Sequence, residues 1–196
     1  MGVVALFVVS ACATANYSTV SRPGAVVELS QSHVMVYSFL DVRERDFGRR
    51  MIEEFSRQVT GQLATRGVEA TVVEFRDSLA GAATAVSGST SLPLREIVAE
   101  NRAREQELSV NYRLLILPSD MTIQGAWQYF DVNWLLIDVQ TEEVVWRTTL
   151  EGSRLVNWSI DENWQGRATE MVAGALEELS KSGLVSAVAL PVAAAQ

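Results

Sequence analysis

The chain is poor in the residues that carry most enzyme chemistry. Among its 196 residues there is one Cys, Cys12, one His, His33, and one Lys, Lys181. A single Cys excludes an intramolecular disulfide. A zinc site needs several Cys or His ligands, and these are missing. Any Ser-His-Asp or Cys-His nucleophile system would have to use His33. That residue opens a strand and reads as a packed or partly exposed imidazole. No run reaches the ~18 apolar residues of a spanning helix, so no polytopic membrane protein is expected. Sixteen basic residues stand against 24 acidic ones, for a net charge of −8. The basic surplus that neutralises phosphates is absent, which argues against a nucleic-acid partner. The same deficit argues against electrostatic docking on anionic lipid. There is no Gly-rich phosphate cradle, Gly-x-Ser-x-Gly elbow or calcium loop. No catalytic residue, cofactor or metal is therefore expected.

The acidic residues do not supply a reaction centre either. Glu53-Glu54, Glu142-Glu143, Asp161-Glu162 and Glu177-Glu178 are adjacent pairs. Adjacent helical residues diverge by about 100° and do not converge on one substrate. Asp131 and Asp138, seven apart on a strand, face opposite sides, whereas glycosidase-type chemistry needs two facing carboxylates.

What the chain does have is an address. Val3 to Val9 is a short apolar segment of signal-peptide type. It runs into Val9, Ser10, Ala11 and Cys12, which resembles a bacterial lipobox. Small side chains admit the peptidase, and the thiol accepts a diacylglycerol. Only 11 residues precede Cys12 and none is charged, so a translation start upstream of Met1 is expected. Residues 1–11 read as the signal peptide and Cys12 as the lipidated residue. Ala13, in place of Asp after the Cys, resembles the sorting pattern for the outer membrane of Gram-negative bacteria. The membrane partner is then reached through acyl chains, with the domain facing the periplasm.

Hydrophobic residues make up 48% of the chain and charged residues 20%, which suits one folded domain. Residues 12–31 are polar or small, with Pro23-Gly24 inside, and read as a mostly unstructured tether. Val26-Val27 could begin an edge strand. Residues 32–183 read as one α/β (α+β) domain. His33 to Phe39 is the first strand. Asp41 to Arg45 is a charged loop with Asp46 capping the next helix. Phe47, Met51, Phe55, Val59 and Leu63 then form one apolar helix face, and Gly67 stops it. Val68 to Phe75 is a strand. Residues 77–91 form a Gly/Ala/Ser-rich loop. Leu92 to Leu108 is a helix, capped by Ser91, whose charged second half reads as a solvated face. Tyr112 to Leu117 is a strand stopped by Pro118, and residues 119–127 either extend it or turn at Gly125. Tyr129 to Val139 and Val144 to Leu150 form a hairpin across the polar turn Gln140 to Glu143. Ser159 and Glu162 have capping-box spacing. Trp164, Ala168, Met171, Ala175 and Leu179 line the last helix face, with Gly183 ending it. Residues 184–196 read as a loose tail. The order β-α-β-α-β-β-β-α predicts a mixed sheet of about five strands with helices mainly on one face.

One phrase carries a resemblance. The strand from Tyr112, followed by Trp134 to Asp138 and Thr141 to Trp146, is similar to a recurrent hairpin in certain envelope lipoproteins. These are the periplasmic activators of penicillin-binding proteins, the curli secretion channel lipoprotein and flagellar outer-membrane lipoproteins. Their core is an α/β domain similar to the N-terminal domain of the Tol translocation protein. Element order matches over residues 32–182. Glu142 stands where the pattern has Gly. The resemblance implies a non-enzymatic protein that binds or scaffolds another envelope protein, with a homo-oligomer through a sheet edge as one form of this. The alternative is an auxiliary lipoprotein of a lipid or small-molecule transporter, which requires an apolar cavity between sheet and helices. All five Trp lie in the second half. Trp134, Trp146 and Trp164 are expected in the core. Trp127 and Trp158, near turns, are the candidate partner-binding anchors.

Overall fold

A computed structural model describes residues 15–22, 27, 29–75, 94–155 and 163–185. The lipobox Val9 to Cys12, the 77–91 loop, the Ser91 cap, Trp158 and the Ser159/Glu162 box lie outside them. The strands are β1 (Ala15–Ser21), β2 (His33–Ser38), β3 (Glu69–Glu74), β4 (Tyr112–Gln124), β5 (Trp127–Asp138) and β6 (Val144–Leu155). The helices are α1 (Glu44–Phe47), α2 (Arg49–Ala64), α3 (Leu94–Glu107) and α4 (Trp164–Lys181). One mixed sheet has the order β1-β6-β5-β4-β2-β3. β2 pairs in parallel with β3 and β4, and β4, β5, β6 and β1 follow as an antiparallel run. The parallel strand β2 is buried along all six residues, as expected for a strand covered on both faces.

The two faces are covered unequally. Val34 and Val36 of β2, with Leu114, Ile116, Val132, Trp134 and Leu150, join α2 and α4 in the larger core. Met51, Phe55, Val59 and Leu63 supply the buried stripe of α2, and Ala168, Met171, Ala175 and Leu179 that of α4. On the other face α3 packs around Met35, Tyr37, Ile97 and Leu115, with Leu135, Ile137 and Val139 at the near end of β5 against the same cluster. Both long helices on the first face end in the same way. Gly67 and Gly183 turn to φ +74. Their amides, and those of Val68 and Leu184, bond back to Ala64, Ser180, Leu63 and Leu179. This returns Val68 and Leu184 to the core.

The first correction to the sequence reading is at the N-terminal segment. The supposed tether contains β1, hydrogen-bonded to β6 in continuous register from Ala15↔Gly152 to Ser21↔Trp146. Val27 lies in no strand. Alternation explains the pairing. Tyr17 and Thr19 point at α4, while Asn16, Ser18 and Val20 are exposed. The Thr19 hydroxyl donates to Glu178 Oε2 at 2.6 Å and contacts Thr148 Oγ1 at 2.8 Å. The Tyr17 ring lies on the α4 backbone at Gly174, where a Cβ would sit 2.1 Å from Tyr17 Oη.

Five smaller corrections follow. Leu40–Arg43 is a 3-10 turn and α1 a single helical turn. The long helix begins after Gly48, at φ +83, and Asp46 does not cap it. Pro118 does not stop β4; the strand absorbs it in an irregularity between Pro118 and Asp120 and continues to Gln124. Leu184 and Val185 are buried, so the tail begins inside the core. The charged half of α3 is not wholly solvated. Glu105 is 4% exposed and Arg113 6%. Arg113 Nε and Nη2 donate to Glu105 Oε1 and Oε2, both at 2.7 Å, and the Tyr37 hydroxyl donates to Oε1 at 2.7 Å. Burial, then this bond to Glu105, raises the Tyr37 phenol. The same carboxylate raises the Arg113 guanidinium.

Two outcomes are expected. Glu105→Ala strands a buried guanidinium and costs about 3–5 kcal/mol, a fall of roughly 10 °C in melting temperature. Glu105→Leu combined with Arg113→Met restores most of it, as thermal melts of the three proteins will show. Tyr17 is pushed up to about 12, first by burial and then by Glu178, Glu170 and Glu177. The unfolded phenol ionises near its ordinary value, ~10. Stability is therefore intact below that pH and falls as pH rises towards the folded value. Denaturant titrations across this window should show a shallower fall for Tyr17→Phe than for the native chain.

Candidate functional site

Trp127, at the start of β5, is 38% exposed. Trp134 and Trp146 are buried at 0% and 1%, and Trp164 is half-buried against the same core. Trp146 Nε1 donates to Ser182 Oγ at 3.1 Å, fastening the end of α4 to the sheet. His33 is buried and its Nε2 lies 2.9 Å from Thr71 Oγ1. Asp138 works inside the hairpin, its Oδ1 accepting the amides of Gln140 and Thr141 at 2.8 Å each. Glu142 in that turn has φ +57. This conformation accounts for the Gly of the resembling hairpins, because Gly enters it without steric cost.

Beyond this cluster no helix among the described residues covers the second sheet face. It is built by alternate residues of the antiparallel run. Asn133 pairs with Thr149 and Ser18 with Thr149 across the ladder. Thr149 Oγ1 donates to Asn133 Oδ1 at 2.7 Å. One row further, Asp120, Asp131 and Glu151 stand side by side on three strands. Burial, then Glu151 and Asp120, raises the Asp131 carboxyl above its usual range. At the end of the sheet the exposed side chains turn apolar: Ile123, Trp127, Tyr129 and Leu155 are 38–56% exposed. Trp127 was legible as a candidate from its place near a turn. Ile123 lay in the segment read as either an extension of the strand or a turn, and Leu155 lies beyond Leu150, where the last strand was read to end.

The sheet has two edges of different character. β3 has Glu69 and Glu74 at its ends. β1, Ala-Asn-Tyr-Ser-Thr-Val-Ser, has no charge and no proline, and pairs with β6 without a bulge. Natural edges are usually blunted by such devices.

A cleft lies between sheet and helices at the same end as Trp127. Phe47, Met121, Phe130, Leu150 and Met171 line it, with Arg154 and Arg167 at its margin. Arg167 Nη2 donates to the Phe47 carbonyl at 2.8 Å, and Arg154 to the Asp46 carbonyl. The cavity holds about 40 Å³. Small-molecule sites commonly occupy roughly 300–1,000 Å³. This cleft admits little more than a water molecule, so the observation required by the transporter alternative is not met here. Among the described residues no group of three or more His, Cys, Asp or Glu could hold a metal ion.

No protein-family model matches the chain, and no curated protein matches it. Among solved structures, the chain is similar to the PelC dodecamer from Paraburkholderia phytofirmans, with a TM-score of 0.48 and 16% identity. The match covers 85% of this chain and 97% of that one. It is also similar to the lipoprotein GNA1162 from Neisseria meningitidis, with a TM-score of 0.43 and 12% identity. There the cover is 76% of this chain and 99% of the other. At such values the likeness carries no argument about function.

The acidic row makes its own prediction. Asp131→Asn removes the central charge of the three and should stabilise the fold by about 0.2–1 kcal/mol at neutral pH. The native carboxyl is raised, so its penalty disappears once it is protonated. The gain seen in thermal melts should shrink as pH falls through the carboxylate range. A constant gain would contradict the electrostatic cause.

Proposed function

We propose that this chain is a non-enzymatic lipoprotein of the bacterial envelope that binds a partner protein by strand addition at β1. On this reading Cys12 is acylated, the anchor lies in the outer membrane, and the domain faces the periplasm. The observation that carries the binding role is the β1 edge. Seven residues without charge, proline or bulge end a six-stranded sheet beside an open face. An incoming strand gains backbone hydrogen bonds there, and the exposed Asn16, Ser18 and Val20 select among partners by side chain. The partner is a second envelope protein or a second copy of the chain. The lipobox at Val9 to Cys12 and the resemblance of the hairpin to envelope lipoproteins support the location. The want of nucleophile and metal ligands in the sequence supports a binding role over catalysis.

Two measurements test this together. Labelling with a palmitate analogue should mark the native chain and not Cys12→Ser. Ser18→Lys and Val20→Lys put a charge on exposed positions of the edge and should leave the melting temperature within about 0.5 kcal/mol of native stability. Both should abolish the complexes recovered by cross-linking in native membranes. Complexes that survive both lysines would remove β1 as the binding edge.

A further inference from the structure

We infer that the end of the sheet carrying Ile123, Trp127, Tyr129 and Leu155 rests on the bilayer surface, dipping its apolar rim into the lipid interface. This rests on Cys12 being acylated, as proposed above, and adds a second, non-covalent contact. It assigns Trp127 to lipid and leaves β1 to the protein partner.

The argument begins with chain length. Had residues 12–31 been a free tether, the domain could have floated roughly 65 Å from its anchor. β1 begins at Ala15, so only Ala13 and Thr14 separate Cys12 from the sheet, and the three steps span at most about 10 Å. The anchor therefore emerges at one particular end. Ala15 pairs with Gly152, Gly152 with Phe130, and Phe130 with Met121. From that row β6 runs three more residues to Leu155, again about 10 Å. The β4–β5 hairpin reaches a similar distance to its tip at Gly125. The end of the sheet and the anchor thus reach to comparable depth, and a bilayer holding the acyl chains lies against the hairpin.

The residues at this end suit that plane. Trp127 and Leu155 are paired neighbours on the open face, with Tyr129 on the same face of β5. Ile123 projects from the opposite, helix-bearing face, beside Met121 and the Gln128 row. Apolar side chains thus come from both faces and meet only at the end. A protein docking on the open face would touch Trp127, Tyr129 and Leu155 and miss Ile123; a bilayer meets all four end-on. Trp and Tyr prefer the water–lipid boundary, where the ring is buried and its polar atom stays wet. The far end of the sheet is different in kind. Around the β5–β6 turn stand Glu142 and Glu143, with Arg22 paired to Glu143 and Arg102 3.7 Å from Glu142. The row Asp120, Asp131 and Glu151 lies just inside the rim. It disfavours anionic headgroups, so the surface engaged is a zwitterionic one.

The test uses the full lipoprotein purified from membranes, its acyl chains on Cys12 verified by intact mass. It is reconstituted into phosphatidylethanolamine vesicles containing phosphatidylcholine brominated either near the glycerol end or near the terminal methyl. Bromine quenches tryptophan only on close approach. The native protein should be quenched, more strongly by the shallow bromines, and Trp127→Phe should lose most of that quenching. The emission of the buried Trp134 and Trp146 reports in the same spectra that the variant is folded. Acylated protein whose quenching is equal in the native and Trp127→Phe forms would overturn the lipid contact and leave the anchor standing. A Cys12 without acyl chains would overturn both.

Discussion

The buried carboxylate of Glu105 receives the Tyr37 hydroxyl and two guanidinium donors of Arg113. Helix α3 otherwise has little with which to hold the sheet, since Ile97 is its one fully buried apolar side chain. Breaking such a pair leaves an isolated buried charge, which is far worse than having neither partner. The fork therefore fixes the position of α3 over β2 and β4. That position decides where the cover of the second face stops and where the open face begins.

A second consequence of sheet geometry concerns the N-terminal segment. Because β1 closes on β6, an anchored chain would not be free to reorient. Tyr17 lies on the α4 backbone at Gly174 and Thr19 on Glu178, so the strand is held by the helix as well as by the ladder. Burial with three carboxylates nearby moves the Tyr17 phenol still further above the physiological range. On the proposed reading, the same pairing places an uncharged edge of the sheet beside Cys12. A binding edge and a membrane attachment on one strand would restrict the partner to those already near the membrane.

The large core is filled by Trp134, Phe55 and the helix stripes, and its cleft is too small for an acyl chain. Phe55 and Trp134 meet at 5.5 Å between ring centroids, in the middle of that packing. What remains for recognition lies outside: an edge, an open face, and an apolar end. These regions differ chemically, which allows them to serve different partners at once.

The sequence alone determined the elements whose pattern comes from local chemistry. The four-residue step from Phe47 to Leu63 demanded an amphipathic helix, and Gly67 and Gly183 demanded its kind of ending. Alternation around Trp134 demanded the hairpin. The mixed sheet with its parallel first half and antiparallel second half followed from connection lengths. What stayed hidden was decided by contacts distant in sequence. Residues 15–21 look like linker because half of their side chains are small and polar; only β6 and α4, more than a hundred residues away, make them a strand. Glu105 looks solvated because its neighbours are charged, and only the sheet brings Arg113 and Tyr37 to it. The apolar end is assembled from three strands, none of which is apolar there by itself. Local propensity is written in neighbouring residues, whereas burial is a property of the assembled surface, and so the edge and the rim emerged only when the chain was folded.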